Sequence, residues 1–358
     1  MALRMSQMLR SSKQVRSVRP TDTSAEVRMA PAVKEPEADA VPQDLTAAAV
    51  EESVVSSDPA AAADSEVYEE FVEIAGQVHA AAVAGTVPAE GKVIRILRQA
   101  VTKLGASEGL LADAMRRRDE ARDTPHRMVH EAILAMRLGL EMDYDERRCL
   151  AVGLCALMHD LGMIKVPKEV VESNGKLNDK QLKQLHQHPI DSQRIVESFG
   201  PAFAWIGKIA VQAHERQNGS GYPRGVRGDQ IHEIARIIGV VDTYFAMAQP
   251  RADRPALVTY SALKEIIDLR RSSFDPRLIK ALIHVVSIFP LGSLVKLNSG
   301  EIGRVIGTSR LHPTRPLVEL LLNPRGKHYD PPRPMNLEEE PMLYIVDPAI
   351  EEGVLKKK

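Results

Sequence analysis

Only two cysteines, Cys149 and Cys155, occur in the chain. They lie six positions apart on one predicted helix and face different directions, which excludes a disulfide framework and a cysteine metal knuckle. A reducing, cytoplasmic setting is therefore expected. No apolar run approaches the roughly 20 residues that a bilayer-spanning helix requires, so no membrane span is expected. A formal net charge of -1 gives no excess of either sign, which argues against a nucleic-acid polymer or an acidic membrane surface as partner. The first twenty residues carry five basic side chains and no acidic ones, but they lack the apolar stretch of a secretory signal. Aromatic residues are scarce at 4%, with Trp205 the one tryptophan, and no internal repeat is visible.

What is present is an ordinary globular composition: 358 residues, 44% hydrophobic and 27% charged, enough for about two domains. Residues 1–64 are rich in Ala, Pro, Ser, Asp and Glu without apolar periodicity, and they read as a disordered leader. From residue 65 the pattern turns helical, with Val67, Phe71, Ile74, Val78 and Ala82 recurring at spacings of three and four. Residues 65–122 form an N-terminal helical segment on this reading, and 123–290 a helical bundle. Within the bundle, "DERRCLAVGLCALMHDLG" predicts a helix that runs to Gly162. Asn178 with Gln181 is a capping-box pattern, and Pro189 ends or restarts the helix that follows. After residue 290 the period changes to short β-branched runs punctuated by turn residues, predicting a small β module over 291–358. The fold class is thus mainly α with a small C-terminal β module.

Two aspartates stand out because their helical neighbours are apolar. Asp160 is flanked at helical spacing by Ala156, Leu157, Met163 and Ile164, and Asp242 by Ala235, Ile238, Phe245 and Ala246. A buried carboxylate must be paired, neutralised or bound to a cation. His159 shares an apolar face with Val152, Cys155 and Ala156; His188 precedes Pro189; His214 lies in "QAHER"; His126 and His130 sit one turn apart. Each alone is more often a satisfied core or surface histidine than a ligand. Together with Asp160 and Asp242 they form a carboxylate and imidazole set suited to Mn, Fe, Zn or Ni, and sufficient for two ions sharing Asp160. Which of His126 and His130 takes part stays open. The Gly-rich stretch "RQNGSGYPRGVRG" separates His214 from the Asp242 helix. Its backbone amides, with Gly221 and Pro223 shaping the turn, suit a phosphate; Arg216, Arg224 and Arg227 suit bidentate contacts, and Tyr222 a base or a phosphate oxygen.

The sequence "HD" at 159–160, "HP" at 188–189 and "HERQNGSGYPRG" at 214–225, followed by Asp242, resembles the HD-GYP family over roughly residues 65–290. The β tail resembles an extension common in that family. The resemblance implies a helical HD fold and a divalent-metal-dependent phosphodiesterase, with iron or manganese as cofactor. Its implied substrate is cyclic di-GMP, opened to linear pGpG or to GMP. It implies one ion site with His126 or His130, His159, Asp160 and Asp242, and a second with Asp160, His188 and His214. Asp160 is the implied catalytic carboxylate.

Several positions depart from the family pattern. Ala213 stands where the family has a further histidine, which predicts two ions with the second weakened. Met163 stands where the family has a phosphate-contacting lysine, and Lys165, two residues on, is the candidate replacement. Asn218 and Phe245 each replace an aspartate, and Arg127 stands at the position of the first-helix histidine. An alternative reading follows from Met163 and Ala213: a domain that binds a nucleotide or a signalling-protein partner, or pairs as a homodimer, without turnover.

Overall fold

The computed structural model describes residues 59–117, 123–171, 173, 177–248, 259–270, 272–289, 293–309 and 311–347. Residues 1–58 of the expected leader lie outside the described residues, whereas 59–64 already belong to the first helix, Pro59–Ala84 (α1). Glu90–Ala106 (α2) and Gly109–Arg116 (α3) follow. At the centre of the bundle is Thr124–Glu141 (α4), which begins where the Asp123 carboxylate accepts a hydrogen bond from the His126 amide, with proline in its first turn. Every residue from Met128 to Gly139 is buried, so this helix is enclosed on all sides. Glu146–Met158 (α5) is capped by Asp145 and is buried from Cys149 to Met158.

These two helices form a hairpin, and Gly153 sets how closely α5 approaches its neighbours. A Cβ there would stand 2.6 Å from Met136 Sδ and 2.8 Å from Leu97 Cδ2. The main core runs from Tyr68 on α1 through α4 and α5 to Val286, so the helices of residues 59–116 pack into the same interior as those that follow. Burying a Leu, Ile or Phe side chain contributes about 1.5–3 kcal/mol. No described helix is long and apolar enough to cross a membrane.

The HD helix differs from the expectation. It ends at Met158, and a 3-10 turn, Leu161–Lys165, replaces the predicted last turns. Lys168–Val171 (α6), Asp179–His186 (α7) and His188–Ser198 (α8) come next. The predicted Asn178–Gln181 capping box is formed, and the restart at Pro189 is the boundary between α7 and α8. Ala204–Ala210 (α9), Glu233–Ala248 (α10), Thr259–Arg270 (α11) and Pro276–Val286 (α12) complete the helical part.

The C-terminal part is an antiparallel sheet of Leu294–Leu297 (β1), Ile302–Gly307 (β2), Leu317–Leu322 (β3), His328–Asn336 (β4) and Ile345–Asp347 (β5), in the order β4-β3-β2-β1-β5. It has its own apolar cluster, including Val295, Leu297, Val305, Val318 and Leu320. β4 contains Pro331, Pro332 and Pro334, residues that disfavour a strand. Its place at the sheet edge explains why they are tolerated: the missing amides are not all needed by a second neighbour.

Candidate metal centre

His159 and Asp160 lie in the turn just beyond α5, not inside the helix. His159 closes α5 by donating its Nδ1 proton to the Ala156 carbonyl at 2.8 Å. A carbonyl can only accept, so Nδ1 carries the proton of this bond and Nε2 is the ring nitrogen left to meet a ligand. Nε2 is buried and has no hydrogen-bond partner among the described residues. His188, first residue of α8, does the same through Nδ1 to the Leu185 carbonyl at 2.6 Å. His214 lies beyond α9 with Nδ1 3.4 Å from Asp242 Oδ2 on α10. All three side chains are buried, and each of these hydrogen bonds or ion pairs orients a ring that presents Nε2 inward.

These nitrogens converge on one carboxylate oxygen. Asp160 Oδ1 stands 3.1 Å from His188 Nε2, 3.2 Å from His214 Nε2 and 3.6 Å from His159 Nε2. The two Nε2 atoms of His188 and His214 are 2.8 Å apart. Two lone pairs at that distance repel unless a proton or a cation lies between them. Burial opposes a proton on His214, but Asp160 and Asp242 outweigh it and raise this imidazole to about 9. Burial pushes His188 the other way, downward. Adjacent donors on an octahedral ion with bonds of roughly 2.1 Å are separated by about 3 Å, so the triangle of Asp160, His188 and His214 fits one. His159, Asp160 and His214 likewise offer donor atoms all within 4.8 Å of one another.

The other oxygen of Asp160 has a different partner. Arg127 on α4 places Nη2 on Asp160 Oδ2 and donates through Nε to Glu131 Oε1 at 2.9 Å. Glu131 Oε2 is in turn 3.8 Å from His159 Nε2. Burial tends to raise the Asp160 carboxyl, yet His159, Arg127 and His188 hold it well below the usual carboxylate range. Burial raises Glu131. Burial also works against the Arg127 charge, but Glu131, Asp160 and Asp242 more than compensate.

Neither histidine of the one-turn pair is drawn into this cluster. His126 Nδ1 sits 2.8 Å from Asp123 Oδ1 at the start of α4. His130 is buried with Nε2 2.8 Å from the Tyr68 hydroxyl, and its ring stacks on Phe245. The helix turns Arg127, between them in sequence, toward Asp160 instead. Ala213 is packed in the main core, and Met163 lies against the small apolar cluster of Val166, Val170 and Leu185. Lys165 is exposed at the end of the 3-10 turn, and no hydrogen bond or ion pair joins it to the cluster among the described residues.

The glycine-rich loop is held against the centre by its backbone. Gly221 approaches so closely that a Cβ would stand 2.5 Å from Arg216 N, Glu215 Cα and His214 O. The Glu215 carboxylate accepts from the Arg224 and Gly225 amides at 2.7 and 3.1 Å. Asn218 Oδ1 accepts from the Ser220 amide and hydroxyl, shaping the turn. Arg216 does not reach outward for phosphate: it is buried, donates to the carbonyls of Ala213 and Glu215 and to Thr243 Oγ1, and lies over the Phe274 ring. Arg224 and Arg227 are exposed, the latter lying against Gly219, and Pro223 is half-buried.

The Tyr222 ring is already stacked on two imidazoles. His186 lies at 4.0 Å on a 14° interplanar angle, and His214 at 5.0 Å on 2°. Its hydroxyl is buried without a partner among the described residues, and burial keeps it protonated as a donor. Tyr222→Phe should therefore leave ion content unchanged and stability within about 1 kcal/mol, since the stack survives and an unsatisfied group is removed. Turnover should drop by roughly tenfold or more if the hydroxyl meets substrate; metal analysis, a melt and a rate measurement check this. Glu131, Glu215 and His186 were not singled out in the sequence. The i, i+4 spacing of Arg127 and Glu131 was the available signal for the first.

Residues 107–278 match the HD domain family, and residues 294–357 match a KOW domain associated with HD domains. The chain is 28% identical over 194 residues to cyclic di-GMP phosphodiesterase PA4108 of Pseudomonas aeruginosa, covering 54% of this chain and 47% of that protein. It is 33% identical over 159 residues to the cyclic di-GMP phosphodiesterase response regulator RpfG of Xanthomonas campestris, covering 44% and 41%. The chain thus spans about half the length of the curated relatives it matches. Among solved structures, the HDG"Y"P protein Bd1817 of Bdellovibrio bacteriovorus superposes with a TM-score of 0.53 at 16% identity, covering 64% of this chain and 73% of that one.

Proposed function

The chain belongs to the HD-GYP family of HD domains, and from that premise we propose that it is a metal-dependent phosphodiesterase whose substrate is cyclic di-GMP. The observation that carries the reading is the meeting of His188 Nε2, His214 Nε2 and Asp160 Oδ1 within 3.2 Å of one another, with His188 Nδ1 bonded to the Leu185 carbonyl and His214 Nδ1 3.4 Å from Asp242 Oδ2. Imidazole with carboxylate is a donor set for iron or manganese. An ion held there supplies Lewis-acid polarisation of a phosphoryl oxygen and a water of lowered pKa.

The chain's own residues do the rest. Asp160, His188 and His214 would hold the ion, with His159 beside Asp160 Oδ1 and Asp242 facing His214. The Tyr222 hydroxyl is the buried donor available to a phosphate oxygen, and the exposed Arg224 and Arg227 are the cations nearest in sequence for the second phosphate of a cyclic dinucleotide. Water adds to phosphorus, a ribose 3′ oxygen leaves with a proton, and linear pGpG is the first product; a second cleavage yields GMP. Residues 123–290 are the proposed catalytic unit, with 291–358 a separate β module.

The test is direct. Purified chain supplied with manganese or ferrous iron should convert cyclic di-GMP to pGpG, followed by chromatography, and a chelator should reduce the rate by at least about 10²-fold. Tight binding of cyclic di-GMP with no product under either metal would replace this reading by that of a receptor.

A further inference from the structure

We infer that Arg127 is a built-in cation that takes the place of one of two metal ions, leaving a centre for a single ion on the Oδ1 side of Asp160. The inference rests on the metal-dependent reading above and deepens it. A carboxylate bridges two ions by giving one oxygen to each. Here Oδ1 faces the imidazoles of His188 and His214, while Oδ2 is taken by the Arg127 guanidinium. The same guanidinium also binds Glu131, a carboxylate that would otherwise stand buried beside His159 with no positive partner of comparable permanence. Asp242 is close enough to add to the stabilisation of the Arg127 charge.

The chemistry of arginine makes the substitution effectively permanent. A guanidinium keeps its proton at any pH a protein survives, so it cannot withdraw its charge to admit a second cation. A divalent ion on the Oδ2 side would have to displace it from two carboxylates that it now neutralises. Arginine also differs from the ion it replaces in what it can do: it neutralises carboxylates and donates hydrogen bonds, but it is not a Lewis acid and does not ionise water. The expected weak member of a two-ion pair, the set of Asp160, His188 and His214, is on this view the one that remains, and the set expected to be complete is the one displaced.

Ion counting on the purified full chain tests this without reference to turnover. After loading with manganese and gel filtration, the wild type should retain about one ion per chain and Arg127→His about two. Arg127→Gln keeps most of the side-chain volume but removes the charge, leaving Glu131, Asp160 and Asp242 without their cation. Its melting temperature should rise on adding manganese by at least about twice the wild-type shift. Two ions in the wild type would overturn the inference, as would a count that stays at one in Arg127→His together with equal manganese shifts for Arg127→Gln and the wild type. No ion in any of the three proteins would overturn the metal reading itself, and this inference with it.

Discussion

Asp160→Ala should lose its bound ion and most of its hydrolytic activity, and should unfold at a markedly lower temperature. One side chain holds together both halves of the centre. Its Oδ1 is the shared neighbour of three imidazoles, and its Oδ2 is a partner of the largely buried Arg127, whose side chain is 13% exposed. Without it, Arg127 keeps Glu131 but loses a counter-charge in a site that water scarcely reaches, and His188 and His214 face each other with no anion between them. Removing one partner of a buried pair typically costs about 3–5 kcal/mol. Loss of the ion removes the polarising charge as well, so the rate should fall by about 10³-fold or more. Metal analysis, thermal melting and the cyclic di-GMP assay measure the three effects together. Retention of the full ion content would show that the ion is held without Asp160. Asp160→Asn is the companion variant: it keeps the shape, so a similar loss there would assign the effect to charge.

Gly162→Ala should be nearly as damaging, although no part of Gly162 is a ligand. A Cβ at this position would stand 2.0 Å from the His188 carbonyl oxygen, 2.4 Å from Ser192 N and 2.8 Å from Ser192 Oγ. Two of these are backbone atoms of α8, which cannot rotate away. The added methyl must push the turn carrying Asp160 off the helix that begins with His188. Overpacking of this kind costs about 1–3 kcal/mol or more, and misplacing a ligand by such a shift lowers ion affinity by about 10- to 100-fold. Ser192→Ala separates space from bonding: it removes the hydroxyl that accepts from the Gly162 amide at 2.8 Å but adds no bulk. That variant should cost about 1 kcal/mol and leave the ion in place. Denaturant titration with manganese titration resolves the two, and wild-type behaviour of Gly162→Ala would mean that the turn has slack.

The sequence by itself determined the helical class, the C-terminal change to short strands and the order of the chemical groups along the chain. Each of these is local. Apolar spacing of three and four residues reports a helix face wherever it occurs, and Asn178 with Gln181 forms its capping box within four residues. The need for a cation near Asp160 and Asp242 was also legible, because carboxylates among apolar neighbours are costly whatever surrounds them. The three prolines of β4 disfavour a strand, and only its place at the sheet edge makes them harmless.

Tertiary structure alone decided which groups meet. Arg127 and Asp160 are 33 positions apart, and the close α4–α5 hairpin brings them together, while His126 turns to Asp123 and His130 to Tyr68. One turn of helix separates His126 from His130, and a rotation of about 100° per residue sends adjacent side chains in different directions, so being near the right position in sequence is no substitute for facing the right way. Arg216 and Tyr222 read as ligand-facing for the same reason that they are conspicuous in a glycine-rich loop. Folding spends the first on backbone carbonyls and Thr243, and stacks the ring of the second on His186 and His214. Polar groups in a sequence advertise what they could bind; the direction of each side chain, set by packing over long sequence distances, determines what they do bind.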